Sequence, residues 1–309
     1  MGYGTNATVL PALCGKGDLI VSDKLNHSSI VNGCRASGAH VRSFAHNDPM
    51  QLDQILRESI ALGQPRTRLR WKKVLVVVEG IYSMEGEICR LKEIAEVAKK
   101  YKAYVYLDEA HSIGALGKTG RGVTEYHGVD TKDVTICMGT FTKSFGGMGG
   151  YIAADKSIIQ HLRRHCAGMI YHNAMSPVIA AQVLRALRII RGEVCGDLGK
   201  RKLTALTENA NFFRKSLIDM GLHLYGDWDS PIIPVLIYMP MKLGLFSRQC
   251  LKRGLAVVVV CFPATPLETG RVRFCISAAH TKEDMREALA KINEVADIAR
   301  IKYSKQTFP

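Results

Sequence analysis

The chain has 309 residues, 47% of them apolar, with 42 basic and 28 acidic residues for a net charge of +14. That much apolar material can form a sizeable core, which excludes collagen-like, low-complexity and wholly disordered chains. No apolar run in the sequence approaches the ~18–20 residues of a membrane span, and Met1-Gly2-Tyr3-Gly4 lacks the basic and apolar regions of a secretory signal.

The opening part of the chain alternates strand and helix signals. Leu19–Ser22 reads as a short strand and 28–37 as a helix; Val41–Phe44 is a second strand, ended by Asn47-Asp48. Asp48 is a candidate N-cap with Pro49 at the first helical position. Leu52, Ile55, Leu56 and Ile60 then follow at helical spacing up to Gly63. Val74–Glu79 is a continuous apolar strand. Leu91, Ile94, Ala95 and Ala98 line one face of a helix over 91–100, and 103–107 and 134–138 are further strands, the first ending at Asp108. Continuous apolar strands separated by helices predict an α/β unit with a mainly parallel sheet covered on both faces.

Helices are expected over 176–191 and 198–220, the second long enough to link two subdomains. After Gly226 the texture changes to an α+β layer. Strands are expected at 232–238, 256–260 and 272–277, with Pro234 marking the first as an edge. Helices are expected at 243–253 and 281–301, the latter capped by Thr281. The expected domains are therefore 1–220, including the linker helix, and 221–309.

The nine cysteines form no C-x-x-C pair and are odd in number, so they read as reduced core thiols. The runs 74–78 and 256–262 both read as buried strands. The basic residues are scattered without interleaved aromatics, so no nucleic-acid partner is expected.

Functional groups of open α/β sheets gather at the carboxyl ends of strands. Three such ends are unusually polar here: Glu79-Gly80-Ile81-Tyr82-Ser83, Asp108-Glu109-Ala110-His111-Ser112 and Gly139-Thr140-Phe141-Thr142-Lys143-Ser144. An Asp, a His and a Lys brought to one sheet edge suit pyridoxal 5'-phosphate (PLP). The amine of Lys143 can capture the cofactor aldehyde, and the carboxylate of Asp108 can hold the pyridine nitrogen protonated so that the ring accepts electrons. Thr140 can reach the phosphate and His111 the ring hydroxyl. Singly, a strand-end Asp is a turn former or cap, a Lys a surface charge and a His a satisfied core residue. Their joint occurrence at successive strand ends is hard to obtain from packing alone. No metal site is expected.

The segments Asp108–Gly114 and Gly139–Gly146 resemble those of the α-oxoamine synthases, PLP enzymes of the aspartate-aminotransferase-like fold. Within that family, the segments at 26–33, 63–68, 78–86, 262–266 and 277–281 are similar to the serine palmitoyltransferase branch. The resemblance covers essentially the whole chain. It implies a PLP-binding large domain, incomplete at its N-terminus because the family pattern begins well before Met1, followed by the C-terminal α+β small domain.

The resemblance also implies roles. Lys143 bonds the cofactor and is the likely-placed base for the substrate α-proton in relatives; Asp108 pairs with the ring nitrogen and His111 with the ring oxygen. His27 stacks on the ring, Ser83 lies near its hydroxyl, and Gly2 and Tyr3, at a helix N-terminus, offer backbone donors to the phosphate, a cradle that Thr140 completes. Arg273 grips the substrate carboxylate, with Arg271 as its rival. The implied reaction is the decarboxylating condensation of L-serine with palmitoyl-CoA to 3-ketosphinganine, the first step of sphingolipid biosynthesis. The implied partner is a related non-catalytic long-chain-base subunit 1, and the implied location is the cytosolic face of the endoplasmic reticulum membrane. Asn173-Ala174 depart from the Thr-Ser with which relatives reach a neighbouring subunit's phosphate. Two alternatives stay open: an inactive or regulatory homologue, and another α-oxoamine synthase using glycine or alanine.

Overall fold

The structure is a computed structural model that describes residues 1–305; residues 306–309 of the expected second domain lie outside the described residues. Its chain divides into two compact units. The first comprises Met1–Tyr82 and Cys89–Gly199; the second comprises Ser83–Ile88 and the chain from Lys200 on.

The first unit begins with helix α1 (Gly2–Leu13), followed by β1 (Leu19–Asp23), α2 (Ser28–Ala36), β2 (His40–Phe44) and α3 (Pro49–Leu62). It continues with β3 (Val74–Glu79), α4 (Leu91–Lys100), β4 (Tyr104–Asp108), α5 (Val123–His127), β5 (Ile136–Thr140) and β6 (Gly150–Ala154). Helices α6 (Lys156–His165), α7 (Ala167–Tyr171) and α8 (Pro177–Ile190) complete it.

The strands form one six-stranded sheet in the order β2-β1-β3-β4-β5-β6. All pairs are parallel except β5 with β6. The chain steps outward from β1 to β2, then returns to β3 on the other side of β1. The strand order thus reverses between β1 and β3, where open α/β sheets form a crevice beyond their carboxyl ends. Register fixes what meets there: Glu79 pairs with Asp108, Asp108 with Met138, and Thr140 with Gly150.

Val77, Tyr106 and Met138 bury one face of this sheet with Leu10 of α1 and Ile30 of α2. Each fully buried aliphatic of this kind contributes roughly 1.5–3 kcal/mol. Asp48 caps α3 by accepting from the Met50 and Gln51 amides, as its position before Pro49 predicts. Strand β6 has no counterpart among the expected elements, and helix α1 matches only what the resemblance implies, a helix N-terminus at Gly2 and Tyr3. Two glycines and Pro11 lie within α1, and its composition carries no amphipathic stripe.

The second unit takes in nearly all of helix α9 (Leu198–Asp219), which begins at the unit boundary. It contains β7 (Ile232–Tyr238), α10 (Pro240–Lys252), β8 (Val258–Val260), β9 (Gly270–Cys275) and α11 (Lys282–Ala299). Its antiparallel sheet runs β7-β9-β8, so β7 is an edge strand as Pro234 implies. Phe213, Ile233, Val235, Val272, Leu289 and Ile292 form its core. Thr281 and Asp284 form a reciprocal capping box at the start of α11.

Two expectations are corrected. The run 256–262 is not a buried strand: only 258–260 are extended, and Val258 and Val259 are 53% and 40% exposed. This strand has a single neighbour, β9, so nothing covers its outer residues on that side. Nor are all nine cysteines core thiols, because Cys195, Cys261 and Cys275 are exposed while Cys14, Cys34, Cys89, Cys166 and Cys250 are buried. Cys261 follows the short edge strand and Cys275 ends β9, where the alternation of faces turns a side chain outward. No helix among the described residues is long and apolar enough to cross a membrane.

Candidate active site

The crevice beyond the sheet's carboxyl edge collects seven of the sequence-derived site residues. Gly2, Tyr3, His27, Asp108, His111, Thr140 and Lys143 line one cleft in the first unit. Four different segments bring them there: the start of α1, the β1–α2 turn, the end of β4 and the end of β5 with its following loop.

Asp108 closes β4 and is 5% exposed. Its Oδ1 accepts from the Ala110 amide at 2.9 Å and its Oδ2 from Asn6 Nδ2 at 2.7 Å. Burial pushes its carboxyl above the usual carboxylate range, against the opposing effects of these two donors and of the Lys143 and His27 charges. A cation held beside this group would find a desolvated, prearranged acceptor.

His27 is the N-cap of α2, with Nδ1 accepting from the Ser29 amide at 3.2 Å. Its backbone N–H donates to Glu79 Oε1, which ties the β1–α2 turn to the end of β3 across the reversal point. Tyr3 meets the His27 ring edge-on, with centroids 6.3 Å apart. Burial lowers the His27 pKa, and the Lys143 charge lowers it further while Asp108 opposes. The ring is thus held neutral more readily than a solvated histidine.

Lys143 stands on the exposed loop after β5 and borders the same cleft as Asp108 and His27. Thr140, at the end of β5, is buried, and Thr142 Oγ1 lies 3.3 Å from its hydroxyl. The first turn of α1 lies against it so closely that a Cβ on Gly2 would meet Thr140 Cγ2 at 2.4 Å. Glycine therefore lets a helix N-terminus, with its amides lacking intrahelical acceptors, come up to the strand end. Together these supply an amine, a buried carboxylate, imidazoles and an anion-binding helix start, a donor set that fits an aldehyde-bearing, phosphorylated, protonatable heterocycle.

The other two sequence-derived residues, Ser83 and Arg273, belong to the second unit. Arg273 donates to the Ser83 carbonyl at 3.2 Å, and its Nε is buried with no hydrogen-bond partner among the described residues. Arg271 is differently engaged. It is 3% exposed and donates to the carbonyls of Thr269 and Met84, with Glu85 3.3 Å away and the Tyr225 ring below its guanidinium. It anchors the 83–88 segment, so of the two arginines Arg273 retains the capacity to take a further acceptor.

Sequence reasoning missed Asn6, Ser29 and Glu79, which also line the cleft. Asn6 lies in a helix with no periodic signal, and a lone Asn or Ser near a helix start reads as a cap. Glu79 shares a polar strand end with Ser83 and could have been found there. Glu109, beside Asp108, is buried away from these groups and accepts from the Ser112 hydroxyl and the Val123 amide. Burial lifts its pKa to about 7.

A six-stranded, mainly parallel sheet with an amine, a carboxylate and imidazoles at its carboxyl edge defines a class of PLP-type group-transfer folds, and the chain belongs to the Aminotransferase class I and II family, matched over residues 1–292. More particularly, it is 58% identical over 303 residues to Long chain base biosynthesis protein 2c of Oryza sativa subsp. japonica, covering 98% of this chain and 61% of that protein. It is 54% identical over 305 residues to Serine palmitoyltransferase 2 of Dictyostelium discoideum, covering 99% of this chain and 62% of that protein. A solved high-resolution structure of SPT with PLP superposes with a TM-score of 0.87 at 31% identity, covering 97% of this chain and 72% of that one. The chain therefore spans a little over three-fifths of the length of the two curated relatives.

Proposed function

We propose that this chain is the PLP-binding part of a serine palmitoyltransferase catalytic subunit, which condenses L-serine with palmitoyl-CoA, releasing carbon dioxide, to give 3-ketosphinganine. The observation that carries this reading is the meeting of Lys143, Asp108, His111, His27 and Thr140 on one cleft at the strand-order reversal. The identity to long-chain-base and serine palmitoyltransferase 2 proteins supports the choice of substrates over glycine or alanine.

When bound, PLP supplies an aldehyde for an amine and a protonated ring that accepts electrons from the carbon next to it. The residues' roles follow from their chemistry. Lys143 Nζ would hold the cofactor and would serve as the base for the substrate α-proton. Asp108, held by Asn6 and the Ala110 amide, keeps a proton on the ring nitrogen. His27 packs on the ring face, His111 donates to the ring oxygen, and the α1 N-terminus with Thr140 receives the phosphate. Ser83 and Arg273 extend the set from the second unit by resemblance, Arg273 as a fork for the serine carboxylate. We further propose, on the resemblance, a related long-chain-base subunit as partner and a location on the cytosolic face of the endoplasmic reticulum membrane.

Purified chain mixed with PLP should show visible absorbance from protein-bound cofactor, and borohydride should fix the cofactor to the peptide containing Lys143. Lys143→Ala should lose both signals. With the partner subunit, serine should shift the spectrum and palmitoyl-CoA should yield the keto product. Identical spectra for wild type and Lys143→Ala would overturn the assignment.

A further inference from the structure

Behind the cleft lies a hydrogen-bonded chain of buried groups that runs from the middle of β4 to the His27 ring. Tyr106 is fully buried and its hydroxyl lies 2.7 Å from Asn6 Oδ1. Asn6, 1% exposed, places Nδ2 2.7 Å from Asp108 Oδ2 and 3.0 Å from Ser29 Oγ. Ser29, also 1% exposed, places Oγ 2.7 Å from His27 Nδ1.

The donors and acceptors along this chain are fixed at two points, the carboxylate of an ionised Asp108 and the Ser29 backbone N–H. A carboxylate oxygen only accepts, so the Asn6 group facing it is the NH₂ and the Asn6 carbonyl faces Tyr106. That carbonyl only accepts, so the Tyr106 hydroxyl donates. The two Asn6 amide protons go to Asp108 and to Ser29 Oγ. The Ser29 backbone N–H can only donate, so His27 Nδ1 is the acceptor of that bond at 3.2 Å, and the Ser29 hydroxyl 2.7 Å away donates its own proton to the same nitrogen. Nδ1 then carries no proton, and the neutral imidazole is protonated on Nε2.

We infer that Tyr106, Asn6 and Ser29 are positioning residues that hold the His27 ring as its Nε2–H tautomer, with Asp108 and Tyr106 fixing which way the Asn6 amide faces. Asn6 is the junction: one amide serves both the carboxylate and, through Ser29, the imidazole. The ring face and the ring-nitrogen partner of the proposed site are thereby tuned by a single buried side chain. The significance of the relay rests on the proposed cofactor site, but its existence does not, and the experiment below uses the chain without cofactor.

The test is ¹⁵N NMR of the ring nitrogens of His27 in the full chain, at a pH where the ring is neutral, with assignment by His27→Gln. Wild type should show a pyridine-like Nδ1 and a pyrrole-like Nε2. Ser29→Ala removes the donating hydroxyl, and Tyr106→Phe frees the Asn6 amide to turn; in both, the two ring shifts should move toward each other. Ser29→Thr, which keeps the hydroxyl, should restore the wild-type pattern. A protonated Nδ1 in wild type, or shifts unchanged in both folded variants, would overturn the inference. Should one variant fail to fold, the other decides, because each breaks the relay at a different point. Loss of PLP binding with the tautomer pattern intact would count against the cofactor reading and leave the relay standing.

Discussion

Asp108 and Glu109 are neighbours in the chain with different duties. Asp108 turns to the cleft and meets Asn6, whereas Glu109 holds the Ser112 hydroxyl and the Val123 amide. With a folded pKa of about 7 against an ordinary 4.5, Glu109 keeps its proton in the folded chain over a range where the unfolded chain has lost it. Its contribution to stability is therefore fully present below pH 4.5 and declines as pH rises through 7, by about 3 kcal/mol in all. Denaturant titrations at pH 5 and pH 8 should show this loss, and Glu109→Gln should flatten it; an unchanged slope in the variant would assign the effect elsewhere. Gly2 gives a second residue-scale prediction. Because an added Cβ would lie 2.4 Å from Thr140 Cγ2, Gly2→Ala must push α1 from the strand end. PLP affinity should fall about tenfold, equivalent to ~1.4 kcal/mol, as read by equilibrium dialysis; undiminished affinity would argue that the phosphate is held elsewhere.

At the scale of elements, α1 exists because of its neighbour. Its own sequence carries two glycines and an internal proline and shows no apolar stripe. Its partner α2 approaches so closely that a Cβ on Gly33 would meet the Asn6 carbonyl oxygen at 2.7 Å and Leu10 Cδ1 at 3.0 Å. Gly33→Ala should therefore separate the helices and destabilise the chain by roughly 1–3 kcal/mol. Asn6 would move with α1, so the variant should also weaken PLP binding, measured alongside its melting temperature. Thr281→Ala is the contrasting change. It removes the capping box of α11 and should cost about 1 kcal/mol without altering PLP affinity, because Thr281 and Asp284 cap a helix of the second unit and have no role in the proposed site. A comparable loss of affinity in both variants would mean that affinity reports general destabilisation.

For the whole molecule, hydrogen exchange with and without PLP tests the proposed site as a set. Protection should rise at the start of α1, the β1–α2 turn, 108–111 and 140–143. It should also rise at Ser83 and Arg273 if the second unit supplies them to the same ligand. Protection confined to the first unit would remove those two residues from the site and keep the others.

Much of this molecule can be read in its residues. The apolar runs of β3 and β4, the stripe of α4, the Asp48 cap and the edge position of the Pro234 strand all follow from short-range rules, because a strand buried on both faces and a helix buried on one must carry those patterns wherever they sit. Lys143, Asp108, His111 and Thr140 are equally legible, since chemistry at a sheet's carboxyl edge needs those side chains immediately after strands. The linear chain does not state which strand lies beside which, and so could not show that Glu79 ties down the His27 turn or that Tyr106 reaches Asn6 across a hundred residues. Its local periodicity also does not show that α1 is a helix, which the resemblance alone implies, or that Val258 and Val259 face outward. Those outcomes are decided by strand order, register and close helix packing, which are properties of distant residues brought together and leave no local periodicity behind.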